Sequence, residues 1–164
     1  MRKFLILGIL VLALLAYVVI PLARQSLGDG GSASEESPYR QDESVVVFAN
    51  DLVVVVDIAD NRFEREKGLG GRESLSDSEG LLFLHDESAI QSYWMKGMLI
   101  PIDIIWIDGE RVMGFVENAQ PEDPPVTIYS SPSPVDKVLE VSAGFVSRNG
   151  LEIGNILDIE LLDE

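Results

Sequence analysis

The sequence predicts a mainly β domain, a sandwich or barrel of short antiparallel strands with two short helices, preceded by one N-terminal transmembrane helix. Three observations predict this. From residue 45 onward, short apolar and β-branched runs recur between Gly, Pro, Asn and Asp residues. Only two stretches carry both start and stop signals for a helix, and both are brief. Residues Phe4–Ala23, FLILGILVLALLAYVVIPLA, run without a charge, long enough to cross a hydrocarbon core of ~30 Å as a helix.

In chain order, residues 1–24 read as a signal anchor. Arg2 and Lys3 precede the apolar run and only Arg24 closely follows it, so the N-terminus is expected in the cytoplasm and the rest of the chain outside. A cleaved signal has a shorter apolar region of about 7–15 residues. Pro21 disturbs only the last turn of the span. Residues 25–44, QSLGDGGSASEESPYRQDES, are a Gly-, Ser- and acid-rich linker with a coil reach of roughly 25 Å.

The β domain is expected over 45–164. VVVFA (45–49) and LVVVVDIA (52–59) are β-branched runs split by Asn50-Asp51, which predicts a tight hairpin. Asp60 or Asn61 caps a helix over about 62–69, with Glu64 completing a capping box and glycines at its end. GLLFL (80–84), IQSYWM (90–95) and IDIIWI (102–107) read as strands, and Asp108-Gly109 turns the last into RVMGFVEN (111–118). Residues 119–134 hold five prolines and read as a long loop, either functional or a stiff cover over a sheet edge. VDKVLEV (135–141) alternates as a half-buried strand. Ser142 is the candidate cap of a second helix ending at Gly150, and NILDIELL (155–162) is the last strand.

Composition excludes several chemistries. There is no cysteine and one histidine, His85, so thiol catalysis and His-rich metal sites are out. Glu122-Asp123 lacks the ligand spacing of a calcium loop. Neither a metal nor a cofactor is expected. Net charge is −16, nearly all of it after residue 43, and such a surface repels phosphate backbones, so nucleic acid is not an expected partner.

Several motifs recur together: AD-x-x-x-ERE-x-GL-x-GRESL (59–75), GLLF (80–83), WMK-x-x-LIP-I-DIIWID (94–108), VLEV-x-AG (138–144) and GLEIG (150–154). In this order they resemble the bacterial and archaeal family of domain of unknown function 192. The resemblance covers about residues 45–162 and implies a compact, mainly β domain, often exported or lipid-anchored. The family has no established reaction, so it transfers no catalytic residues. The chain departs from the family pattern at Gly70, where Met is usual, and at Gly97-Met98, where Asn-Thr is usual.

The most specific block raises a physical question. Between Ser92 and Ile107 the chain holds two charges, Lys96 and Asp103, among apolar residues. An unpaired carboxylate on an apolar strand costs several kcal/mol or takes up a proton. If strand 90–95 returns antiparallel to 102–107, Lys96 reaches Asp103 and the pair fixes register. Arg72 is the other candidate cation. A second reading has Arg72, Trp94, Lys96 and Asp103 lining a cleft for a polar, sugar-like molecule. A third makes Lys96 a general base for Ser92, Ser131 or Ser133. Glu117 and Glu140 are a candidate carboxylate pair for glycoside hydrolysis, and complete the candidate binding residues. No catalytic constellation emerges. The expected function is a membrane-anchored, extracytoplasmic binding or interaction module. Its expected partners are the membrane through the N-terminal helix, and an envelope ligand or protein; the alternative is an envelope-polymer hydrolase.

Overall fold

The computed structural model describes residues 44–48, 52–125 and 127–161. The apolar run 4–23, the linker up to residue 43 and the Asn50-Asp51 turn lie outside them. Among the described residues no helix is long and apolar enough to cross a membrane.

The strands are β1 (Ser44–Val47), β2 (Val53–Ala59), β3 (Glu79–Ala89), β4 (Ser92–Tyr93), β5 (Ile102–Asp108), β6 (Arg111–Ala119), β7 (Tyr129–Ser130), β8 (Val135–Ser142) and β9 (Asp158–Glu160); the helices are α1 (Arg62–Lys67) and α2 (Phe145–Asn149). Seven strands form one sheet in the order β6-β5-β8-β3-β2-β1-β9, and β4 pairs with β7 separately. Residues 154–157 lace back to β6: Gly154 N–H donates to Val112, and Val112 and Leu157 N–H donate to Asn155 and Glu110. The next residues, as β9, pair with β1. One C-terminal segment thus bonds both edges of the curled sheet, giving a half-barrel without long free edges.

Period-two alternation splits the side chains between two cores. Val54, Val56, Ile58, Leu82, Ile105, Ile107, Leu139 and Val141 point inside the half-barrel, where Phe145, Val146 and Leu157 join them. Leu81, Phe83, Ile102, Ile104, Trp106 and Val138 point to the outer face, covered by Leu69, Met95 and Met98. β5 is apolar on both sides because it lies between β6 and β8 with a core on each face. Gly114 on β6 is required by packing: a Cβ there would sit 2.9 Å from Pro132 Cγ. The proline-rich segment therefore lies directly on the edge strand β6, and it contributes β7 to the small sheet.

The local signals around α1 hold. Asn61 Oδ1 accepts from Phe63 and Glu64 N–H, both at 3.1 Å. Glu64 returns a bond to the N–H of Asp60 at 3.2 Å.

Four expectations need correction. The sheet is not wholly antiparallel: β2 and β3 pair in parallel, because residues 60–78, with α1, form a crossover rather than a hairpin. The expected strand 90–95 shrinks to β4, which pairs with β7 and not with β5. The chain leaves it at Trp94 and turns at Gly97, whose φ of 76° is left-handed. Residues 155–162 keep only a three-residue strand, since 154–157 serve the opposite edge. Finally, Ser142 does not cap α2; its N-cap is Gly144, with no side-chain bond of its own.

Candidate functional site

The capping of α2 comes from across the sheet. Asp103 is fully buried on the inner face of β5. Its Oδ1 accepts from the N–H groups of Asn118 at 2.8 Å and Gly144 at 3.0 Å, and its Oδ2 from Val146 N–H at 2.9 Å. Three backbone donors stabilise the carboxylate where it is and fasten α2 and the end of β6 to β5. Asp103 therefore does not pair with Lys96: the expected pairing fails because β4 never lies beside β5. Arg72 does not supply the partner either; it pairs with Asp57.

On the outer face the same sheet carries a second buried acid. Glu140, on β8, is only 4% exposed and forms the floor of a cleft of about 320 Å³. The walls are α1 and its exit (Arg62, Arg65, Glu66, Lys67, Gly68, Leu69), the outer side of β3 (Phe83, His85), and the segment through β4 (Gln91 to Trp94, then Lys96 and Met98). Each part has a local cause. α1 is short because Gly68, at a φ of 52°, ends it, and Leu69 then plunges into the outer core. Arg65 is held by the carbonyls of Asp60 and, at 2.9 Å, Leu84. Tyr93 stands edge-on to Phe83, ring centroids 4.9 Å apart, and its hydroxyl meets His85 Nε2 at 3.0 Å.

The electrostatics are lopsided. Arg62, Arg65, Lys67 and Lys96 line the cleft, half of the Lys and Arg residues that follow position 43. None of them makes an ion pair among the described residues. Burial pushes the Glu140 carboxyl up to about 8, against a single backbone N–H, that of Leu69, favouring its ionised form. Among the described residues its Oε2 has no hydrogen-bond partner. Burial, and then the nearby Glu140, also hold the Tyr93 phenol above its usual range. Burial and the Arg65 guanidinium lower His85, so it is neutral near pH 7.

The six expected residues thus divide. Trp94, Lys96 and Glu140 line one cleft, and Trp94 is 46% exposed there rather than core. Asp103, Arg72 and Glu117 do not line it. Glu117 accepts from Ser147 of α2, so it is on the other side of the sheet from Glu140 and cannot share a glycosidic bond with it. Among the serines proposed for Lys96, Ser92 lines the cleft but bonds Ser130, and Ser131 bonds Gln91 N–H and the Ser133 carbonyl; none bonds Lys96. Sequence reasoning missed Arg62, Arg65, Lys67 and the His85–Tyr93 pair. The basic residues of α1 were visible as a cluster, but only the crossover brings that helix over β3 and β8. Gly97 occupies a left-handed turn that Asn also tolerates. Met98, by contrast, makes part of the wall apolar where the family usually has Thr. Among the described residues, no three His, Asp or Glu side chains converge as a metal site.

Two crystal structures share this architecture. One, from Sinorhizobium meliloti 1021 and described as a "putative transcription regulator", is 30% identical with a TM-score of 0.67, over 76% of this chain and 97% of that one. The other, a protein of unknown function from Novosphingobium aromaticivorans DSM 12444, is 28% identical with a TM-score of 0.65, over 80% and 99% of the respective chains. No curated protein matches the chain. The profile of the family DUF192, described as "Uncharacterized ACR", matches residues 45–159, and the chain belongs to that family.

Proposed function

We propose that the domain is a binding module whose outer-face cleft takes a small organic anion, an acidic sugar-like molecule being the best fit. The observation that carries this is charge inversion. In a chain of net charge −16, four cations that make no ion pair among the described residues surround one concave site, and a cleft in a low-dielectric wall focuses their field on whatever enters. Trp94, half exposed beside them, offers an apolar face on which a sugar ring can lie. A carboxylate supplies the charge that Arg62, Arg65, Lys67 and Lys96 favour, and the ring supplies the surface that Trp94 favours. A polar ligand without charge uses only the second of these.

Titration calorimetry with glucuronate and with glucose tests the reading. Glucuronate is expected to bind at low ionic strength, to weaken several-fold between 0.05 and 0.3 M salt because part of the attraction is screened, and to weaken further in Arg62→Ala and Lys96→Ala. Glucose is expected to bind far more weakly. Equal affinity for the two sugars, or indifference to both substitutions, contradicts it. The regulator description of the Sinorhizobium relative fits this chain poorly: half of its basic residues after position 43 gather in a cleft, and its acidic surface opposes a nucleic-acid backbone.

We also place the domain outside the cytoplasmic membrane, held by residues 4–23. The support is the charge-free run and the flanking Arg2 and Lys3. Protease added to intact spheroplasts is expected to remove the domain; full protection contradicts the placement.

A further inference from the structure

Glu140 is the acid at the base of a cleft whose walls carry four cations and one further carboxylate, Glu66, and its position sets a second condition on the ligand. It is 4% exposed, and its Oε2 is buried without a hydrogen-bond partner among the described residues. The charged and titratable groups around it come from each neighbouring element: Arg62, Arg65, Glu66 and Lys67 from α1, His85 from β3, Tyr93 from β4, and Lys96 beyond it. None pairs with it among the described residues. Its β-sheet neighbours are apolar, Leu81 on β3 and Ile104 on β5. Gly68 closes over it, the Cβ position of that glycine being 3.8 Å from Oε2. A carboxyl so enclosed, beside a site for an anion, is tolerable only in its neutral, protonated form.

We infer that Glu140 is the selectivity element of the cleft: while it holds its proton, the base of the cleft is neutral and the cations around it hold the anionic head of the bound ligand, and without the proton the buried carboxylate repels that head. The inference rests on the reading of the cleft as an anion site. It makes the cleft a receptor for ligands with an anionic head, such as a carboxylate, and sets it against ammonium heads, which would need the ionised form of Glu140 and would be repelled by four cations. Burial places the loss of the proton at about pH 8, so the site is competent at neutral pH and closes in alkali.

The test is the affinity of the full chain for glucuronate between pH 6.5 and 9.5. In this window the sugar carboxylate keeps its single charge, the lowered His85 is past its midpoint and the raised Tyr93 keeps its proton, by the directions of their shifts. The wild-type affinity is expected to be level below pH 8 and to fall toward tenfold per pH unit above it. Glu140→Gln, which keeps the shape and is uncharged at every pH, is expected to bind without that fall. A parallel decline in both chains, or a level profile in the wild type, overturns the inference. A second readout needs no ligand: the side-chain carboxyl 13C shift of Glu140 in the free chain is expected to titrate near pH 8. A midpoint near the ordinary 4.5 overturns the inference even if the cleft binds anions, whereas a midpoint near 8 with no glucuronate binding overturns the anion-site reading and this inference with it.

Discussion

The two faces of the sheet each bury one carboxylate, and they treat it in opposite ways. On the inner face Asp103 accepts three backbone N–H bonds and ties α2 to the half-barrel. On the outer face Glu140 keeps one oxygen without a partner and sits under a cleft. Burial of a charge has a different meaning in each place. A fully satisfied carboxylate is part of the architecture, since its donors would otherwise be orphaned. A half-satisfied one is a standing destabilisation that the fold tolerates, which is why the outer face and not the inner one is the place to look for a ligand.

Substitutions on the two faces are expected to differ in sign and size. The largest effect is expected from Asp103→Ala. It strands three buried N–H donors and should lower unfolding stability by about 3–5 kcal/mol, read by urea denaturation; a loss under about 1 kcal/mol would make the inner acid no more structural than the outer one. Glu140→Gln is expected to act in the reverse direction. The unfolded carboxyl ionises near 4.5 and the folded one near 8. Over that interval the native state binds more protons, so wild-type stability falls as pH rises through it and levels off above pH 8. The variant lacks this fall, and should exceed the wild type by a few kcal/mol at pH 9 while matching it at pH 4. Trp94→Ala is expected to lower stability by only about 1 kcal/mol, because the ring is half exposed, yet to weaken glucuronate binding about tenfold; Trp106→Ala, fully buried on the same face, should cost about 3–5 kcal/mol. The smallest expected effect is the coupling of Lys96→Met with Asp103→Ala in a double-mutant cycle, within about 0.5 kcal/mol of additivity, because the two side chains lie on different faces.

Much of the fold was legible locally. The Asn61 cap, the Asp108-Gly109 turn and the doubly apolar run 102–107 each carry their own cause in a few residues, and they fall where their patterns put them. What failed was pairing at long range. The residues of β4 look like a strand, but nothing in them says that the partner is β7, more than thirty residues on. From that error followed the expected meeting of Lys96 and Asp103. The three donors that satisfy Asp103 are backbone groups, which carry no signature in a sequence. The cleft was half visible: Trp94 and Lys96 stood out, and Glu140 was named for its charge alone. Its unusual environment depends on Gly68 and Leu69 passing over β8, which the crossover decides and no local pattern announces.

The comparison between the faces is tested most directly by mapping amide chemical shifts of the full chain during titration with glucuronate at pH 7. Saturable shifts are expected at Arg65, Gly68, Leu69, Tyr93, Trp94 and Lys96, with Asn118, Gly144 and Val146 around Asp103 unmoved. Shifts centred on α2 and Asp103, or spread evenly over both faces, would contradict the assignment of structure to one face and binding to the other.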